Sequence, residues 1–311
     1  MSMNGNGSPA GSQAPMWGEN LAKFWELQGR PVLEWKGVWW GQHRGASFRC
    51  LPFHRVVDLG PEEIRGFLRA SSIRALSFTS DRPGLPRGLY VIRPEGYGLH
   101  AVSRKQRGHV THGLEACAFR QLDGDELAVL GMPLNRDTLG RQSREDATFL
   151  DPLQWKRFVQ AVDRCPAMAI HGAFADGKLA TYVISCREGP WLHLIHKMSS
   201  TSGREHHPDH ALDYSIIRNA ASDPGIQFIA NGATSVLPHE GLDRYKRQLG
   251  YQVEAHSLSI HFHPLLAPVL CNKATVAVAK RAQALFPRNE RLAYGAKLLE
   301  GALISHIPES E

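Results

Sequence analysis

Two hydrophobic periods alternate along the second half of the chain. In "DPLQWKRFVQAVDR", Leu153, Trp155, Phe158, Val159 and Val162 follow helical spacing, behind Asp151 as N-cap and Pro152 at the first helical position. The stretch before it, "PLNRDTLGRQSRED", also reads as helix. Three short apolar runs come next, "AMAIHGAF", "KLATYVISC" and "WLHLIHKM", separated by "ADG" and "REGP". Tight glycine-containing turns between apolar runs predict antiparallel hairpins. The pattern then breaks into the polar "SSTSGREHHPDH". It resumes as a helix in "DHALDYSIIRNAA", with Leu212, Ile216 and Ala220 in one row and Asp209 as N-cap. "IQFIANG" reads as a strand. "HEGLDRYKRQLG" reads as a helix with Leu242, Tyr245 and Leu249 on one face, stopped by Gly250. "YQVEAHSLSIHFHP" is a long last strand, expected to bulge near His256 and to turn His261 and His263 to its exposed face. Two helices over residues 265–286 and 288–304 close the chain.

The first half is less regular. "RPVLEWKGVWWGQHRGASFRCLPFHR" is rich in aromatic residues with interleaved charges and predicts strands and turns; Trp35, Trp39 and Trp40 are expected in a strand core. "PEEIRGFLRA" predicts a helix, "IRALSFTS" and "RGLYVIRP" two strands, and "LHAVSRKQRGHVTHGLEA" a basic helix. The opening residues are mostly Gly, Ser, Asn and Pro, too polar to offset chain entropy by burial, so residues 1–20 are expected to form a disordered tail.

Composition narrows the class. Of 311 residues, 42% are hydrophobic and 21% charged, as in a globular protein. No run reaches the roughly 18 apolar residues a membrane span needs. The five cysteines are scattered without a C-x-x-C, which argues against a disulfide framework or zinc ribbon and for a reducing, cytoplasmic setting. A net charge of +6 suits an anionic partner: a nucleotide cofactor, a phosphorylated substrate or RNA.

The break after Met198 is the main candidate for chemistry. Ser199, Ser200, Thr201, Ser202 and Gly203 leave room for a ligand, and the next helix points free N–H groups back at them, an arrangement that attracts phosphate. Arg204, His206, His207 and His210 add charge and hydrogen-bond donors. The histidines are also metal-ligand types, but "HHPDH" has no second ligand cluster at a recognised spacing, so no metal is expected. Arg104 and Arg107 form a candidate basic patch with Lys105, His109 and His112; together with Asn231 they are candidate substrate contacts. No nucleophile elbow, H-E-x-x-H, Walker loop or dinucleotide fingerprint is present.

The element order of helix, helix, three-strand meander, loop, helix, strand, helix, strand resembles the GNAT acyltransferases. The detail resembles their Fem-like branch, which carries two GNAT-like modules in one chain. "HKMSS", "HALDYSIIRNA", "GLDRYKRQLGY" and "FHPLL" look like its C-terminal module, and "YGLHAVSRKQRGHVTHGLEACAFRQL" like its basic helix feeding a strand. The resemblance implies a mixed α/β (α+β) fold of tandem GNAT-like modules, each a mostly antiparallel sheet flanked by helices. A degenerate first module would span 21–130, an acyltransferase module 131–265 and C-terminal helices 266–311. It implies transfer of an acyl or aminoacyl group from acyl-CoA, a carrier-protein thioester or aminoacyl-tRNA to an amine or hydroxyl of a small molecule or peptide. The donor would lie along Lys197, Met198, Ser199 and Ser200. His196 is the first candidate for the base, Tyr245 for protonating the leaving group, and Lys246, matching the Fem-type lysine, for holding negative charge. The loop lacks the R-x-x-G-x-G or Q-x-x-G-x-A signature of acetyl-CoA users, and Tyr245-Lys246 stands where Fem proteins usually have Phe-Lys. A non-catalytic binding or assembly protein of the same fold is the alternative.

Overall fold

The computed structural model describes residues 17–237 and 239–306. Most of the expected tail, residues 1–16, lies outside the described residues, and the first helix, α1 (Glu19–Leu27), already begins at its end. One face of α1 buries Leu21, Ala22, Phe24 and Trp25. The aromatic-rich stretch after it folds as the meander β1 (Val32–Trp35), β2 (Val38–Arg44) and β3 (Ser47–Leu51). Pro61 at the first helical position opens α2 (Pro61–Ala70), and the Glu63 carboxylate turns back to the Gly60 amide. This helix crosses over to β4 (Ala75–Ser80), which runs parallel to β3. β5 (Leu85–Ile92) and the basic helix α3 (Arg104–Ala116) follow.

The second half runs β6 (Ala118–Leu122), α4 (Gly124–Arg141), α5 (Ala147–Leu150) and α6 (Pro152–Asp163). Asp151 caps α6 through the amides of Leu153 and Gln154, as its sequence predicts. The helix expected from residue 133 instead starts at Gly124, where Asp123 accepts the Glu126 amide, and it runs on through Pro133. Glycines and an internal proline mask that helix in the sequence. The predicted meander appears as β7 (Met168–Ala175), β8 (Lys178–Glu188) and β9 (Trp191–Ser199). Then α7 (Pro208–Ala220) crosses over to β10 (Phe228–Ala233), parallel to β9. α8 (Glu240–Gln248) ends where Gly250 takes a φ of 98°, and β11 (Gln252–Phe262), α9 (Ala267–Leu270), α10 (Lys273–Leu285) and α11 (Glu290–Ser305) complete the chain.

All eleven strands form one sheet in the order β1-β2-β3-β4-β11-β5-β10-β9-β8-β7-β6. The fold is therefore mixed α+β, with a mostly antiparallel sheet flanked by helices, as expected; only β3–β4 and β9–β10 are parallel. Each half repeats one plan: a meander, a crossover helix, and a strand parallel to the last of the meander. The halves exchange strands at the centre. β5, from the first half, closes on β10 of the second, and β11, from the second, closes on β4 of the first. β11 runs without the bulge expected at His256. Its residues 252–258 pair with β5 and 257–262 with β4 in unbroken register. His261 is not exposed either. It is buried, hydrogen-bonds Ser259 and stacks on Phe78, because this strand is central and covered on both faces. Helices α2, α3 and α7 cover one face; α1, α4 and α6 cover the other.

The N-terminal helix is tied to the second half by one carboxyl group. Glu188, at the end of β8, accepts the amides of Gly18 at 3.2 Å and Leu21 at 2.6 Å. Burial outweighs these bonds and raises its pKa to about 7. A raised carboxyl pKa means the folded state holds this proton more tightly than the unfolded chain. Its contribution is thus complete below about 4.5, the ordinary glutamate value, and is lost as pH rises through about 7. Denaturant titrations should show Glu188→Gln flattening the fall in stability across that window. An unchanged pH dependence would exclude Glu188 as its source.

Candidate active site at the opening between two parallel strands

β9 and β10 pair for only three residues, Trp191–His193 with Phe228–Ala230. Beyond them the strands separate, and the β10 side of β9 has no strand partner. Its backbone N–H and C=O groups there are available to a ligand. On its other side β9 carries a bulge: His196 pairs with Ile184 and Leu194 with Ser185, leaving Ile195 extra. A bulge puts two successive residues on one face and reverses the alternation after it.

That reversal decides which side chain enters the site. Leu192 and Leu194 face α7. Unbroken alternation would place His196 beside them, as the sequence suggests. With Ile195 inserted, His196 turns to the opposite face, where its ring stacks on Phe149 at 3.9 Å. Its Nε2 is buried without a partner, and burial lowers its pKa to about 3. Lys197 takes the α7 face instead. Its Nζ lies 2.9 Å from both Asp213 Oδ2 and the Tyr245 hydroxyl. The Tyr245 oxygen is also 2.8 Å from Asp213 Oδ2 and 3.0 Å from the Asp209 carbonyl.

Lys197 and Tyr245 are both held toward their protonated forms. Asp213 is fully buried. Although burial opposes the charge on Lys197, Asp213 and Asp209 outweigh it and raise the lysine's pKa. Burial and the same carboxylates push the Tyr245 hydroxyl well above its ordinary range. Lys246 differs. It donates to the Asn231 carbonyl, sits 4.5 Å over the Tyr90 ring, and is lowered to about 8, first by burial and then by Lys197. Asn231, Lys197, Asp213 and Ile195 wall a cavity of about 80 Å³ at the opening. Asp213 Oδ1 is buried without a hydrogen-bond partner.

The residues of the expected phosphate loop gather at the far end of β9. Met198 is core. The amides of Ser199, Ser200, Thr201, Gly203 and Arg204 are taken, in order, by Thr138 Oγ1, the Ala180 carbonyl, Asp137, Ser200 Oγ and the Thr201 carbonyl. Arg141 binds the Ser199 carbonyl at 2.6 Å. The Arg204 side chain is exposed. α7 is capped not at Asp209 but at His207, whose φ is 52°; the Asp209 carboxylate instead accepts the Thr181 hydroxyl at 2.8 Å. Packing of α3 on α7 brings His109 to His207 and His210, with one nitrogen of each within 4.8 Å of the others, a set that could hold a metal ion. The first two rings stack at 4.0 Å. His206 lies 3.1 Å from Asp176. Arg104 and Arg107 lie on the exposed face of α3, away from Lys197, and Arg107 is bound to the carbonyls of Val102 and His100.

The residue that sequence reasoning missed is Asp213. Its signal was present: it shares the buried face of α7 with Ile216, Ile217 and Ala220, and a carboxylate on an apolar stripe needs a buried cation.

No protein-family model matches the sequence, and no curated protein matches it. Solved structures do resemble the fold. FemX superposes with a TM-score of 0.56 at 11% identity, over 77% of this chain and 90% of that one. L-PGS from Bacillus licheniformis gives 0.53 at 10% identity, over 81% and 93%. The C-terminal domain of a putative lysylphosphatidylglycerol synthetase from Agrobacterium fabrum gives 0.51 at 12% identity, over 77% and 86%. Likeness at such identities is likeness of fold, and on it this chain has a fold like that of FemX and L-PGS.

Proposed function

We propose that this protein is an acyl- or aminoacyltransferase whose reacting carbonyl lies in the opening between β9 and β10. The observation that carries this reading is the parting of the two strands after His193 and Ala230, with Lys197, Asp213 and Asn231 at its wall, Tyr245 bonded to the first two and Lys246 to the Asn231 carbonyl. The fold shared with FemX and the lysylphosphatidylglycerol synthetase domain supports a transferase. The donor's amide or ester groups bond the free edge of β9, which aligns the carbonyl, and proximity supplies much of the rate. Its phosphate-bearing end is met mainly by side chains, Arg204 and the histidines before α7, since the amides of Ser199, Ser200, Thr201, Gly203 and Arg204 are occupied. The acceptor amine or hydroxyl attacks the carbonyl carbon, and Lys246 in its protonated form stabilises the oxyanion. As the bond from the carbonyl carbon to the leaving group breaks, Tyr245 gives that group its proton and takes one from Lys197; the proton released by the attacking amine or hydroxyl passes through water to Lys197, so the network ends as it began.

These roles are tested with CoA thioesters and aminoacyl-tRNAs as donors against a panel of amines. Lys246→Met should lower the rate about 100- to 1000-fold, the usual cost of one oxyanion donor. Because the charged lysine is the active form, the wild-type rate should fall as pH rises through about 8. Lys246→Arg, which stays protonated, should carry activity above that point. Donor binding without turnover under every condition would instead favour a binding protein.

Asp213→Ala leaves Lys197 as a half-buried charge without its bonded carboxylate. Removing one partner of a buried pair costs about 3–5 kcal/mol. Urea melts should register that loss, and Lys197→Met combined with Asp213→Leu should recover most of it. If the double variant is no more stable than Asp213→Ala, the pair is not the source.

A further inference from the structure

A second cavity, of about 240 Å³, lies on the other face of the sheet, over the seam where the two halves exchange strands. It meets the opening described above, since Leu194 and Ile195 line both it and the small cavity beside Lys197. Its floor comes from β4, β5, β9 and β11, and α1 forms a wall. Arg49, Arg87, His54, His193 and His256 line it, and the one other ionisable group among the described lining residues, the Cys50 thiol, is held neutral by burial. Among the described residues no Asp or Glu lines it.

Two features of this cavity point to a ligand. The first is uncompensated positive charge. Neither Arg49 nor Arg87 makes an ion pair among the described residues; Arg87 Nε reaches only the Thr234 carbonyl, at 3.3 Å, and Arg49 Nε is buried without a partner. The charges that face Arg49 are Arg30 and Arg87, both cations, and burial with this repulsion lowers its pKa to about 10. Folding has placed like charges together, an arrangement that costs free energy unless an anion joins them. The second feature is unused hydrogen-bonding capacity. His54 and His193 are buried, their rings stacked at 4.6 Å, and all four of their ring nitrogens lack a partner. Buried polar groups are almost always satisfied, so four orphaned nitrogens around one cavity point to a missing ligand. Burial keeps both imidazoles neutral, so each offers one N–H donor and one acceptor.

We propose that this cavity binds a small oxyanion, the carboxylate or phosphate of an amino-acid-sized molecule, held by Arg49 and Arg87 and bonded by His54 and His193. An arginine fork matches either group. Phe53, Phe78 and Trp25 supply the apolar remainder of the wall. An anion held here would lie across Leu194 and Ile195 from the opening. On the transferase reading the ligand is therefore the acceptor, its anionic end anchored at the arginines and its amine directed at the carbonyl. The anion site itself does not depend on that reading. A groove of about 700 Å³, lined by Arg30, Arg44, Arg49 and Arg157 together with Glu145 and Asp146, shares Trp25, Arg49 and Ile195 with the cavity and gives it an entrance.

The test uses the full chain and three probes that share an amine: glycine, phosphoethanolamine and ethanolamine. Calorimetric titration should show glycine, phosphoethanolamine or both binding at least tenfold more tightly than ethanolamine. A preference for glycine names a carboxylate ligand, and a preference for phosphoethanolamine a phosphate. Arg49→Met and Arg87→Met should each weaken the preferred probe at least tenfold. Ligand-free, both variants should melt at or above the wild-type temperature, because each removes an uncompensated cation; an arginine serving only the fold would lower it. Arg49→Lys keeps the charge and loses the fork, so it should fold and bind more weakly even if the methionine variant does not fold. Equal binding of all three probes, or no binding of any, overturns the proposal. So does undiminished binding in the variants. Binding of thioester or aminoacyl-tRNA donors is measured separately and bears on the transferase reading alone.

Discussion

Parallel strands joined by a crossover helix need not stay paired along their length, and here β9 and β10 part after three residues. The site follows from that separation. It leaves the edge of β9 unbonded, gives Asn231 and Lys246 a place opposite Lys197, and lets cavities on the two faces of the sheet meet at Leu194 and Ile195. The bulge at Ile195 sets which β9 residue belongs to which face.

The two sides of the opening differ in how charge is balanced. Toward α7, Lys197 is matched by Asp213 and bonded to Tyr245, so its charge is balanced within the protein. Toward α1, the arginines and histidines have no acid among them. A neutral network can be a rigid part of the fold, whereas clustered cations at half-buried positions ask for a counter-charge from outside. The difference suits a reaction in which a donor is aligned on one face and a charged acceptor is recruited on the other.

Much of the second half was legible from periodicity alone. The meander, the crossover helix and the Asp151 cap rest on local rules, and the strands and helices obey them. What was hidden depends on contacts between residues far apart in sequence. His196 is a candidate base by residue type, and nothing local in the sequence announces the one inserted residue that turns its ring toward Phe149 and Lys197 toward α7. His261 reads as exposed because its alternation with Ile260 gives no hint that helices cover both faces of a central strand. Arg49, His54 and Arg87 lie some 100 to 140 residues before His193, the group they meet. No spacing rule reaches that far. Asp213 is the one hidden residue with a local sign, a carboxylate on an apolar stripe.

The exchange of β5 and β11 bears on how the chain is made. When ribosomes have completed the first half, β4 has β3 on one side and an open edge on the other, because its second neighbour lies about 175 residues further on. β5 waits about 140 residues for β10 and about 165 for β11. Such non-local pairings fold slowly and leave unpaired edges open to other chains. The nascent protein must therefore remain unfinished at its centre until residues 252–262 have emerged. A truncation before that point would remove the seam on which both halves close, and a prematurely terminated product should be a substrate for chaperones rather than a smaller working domain.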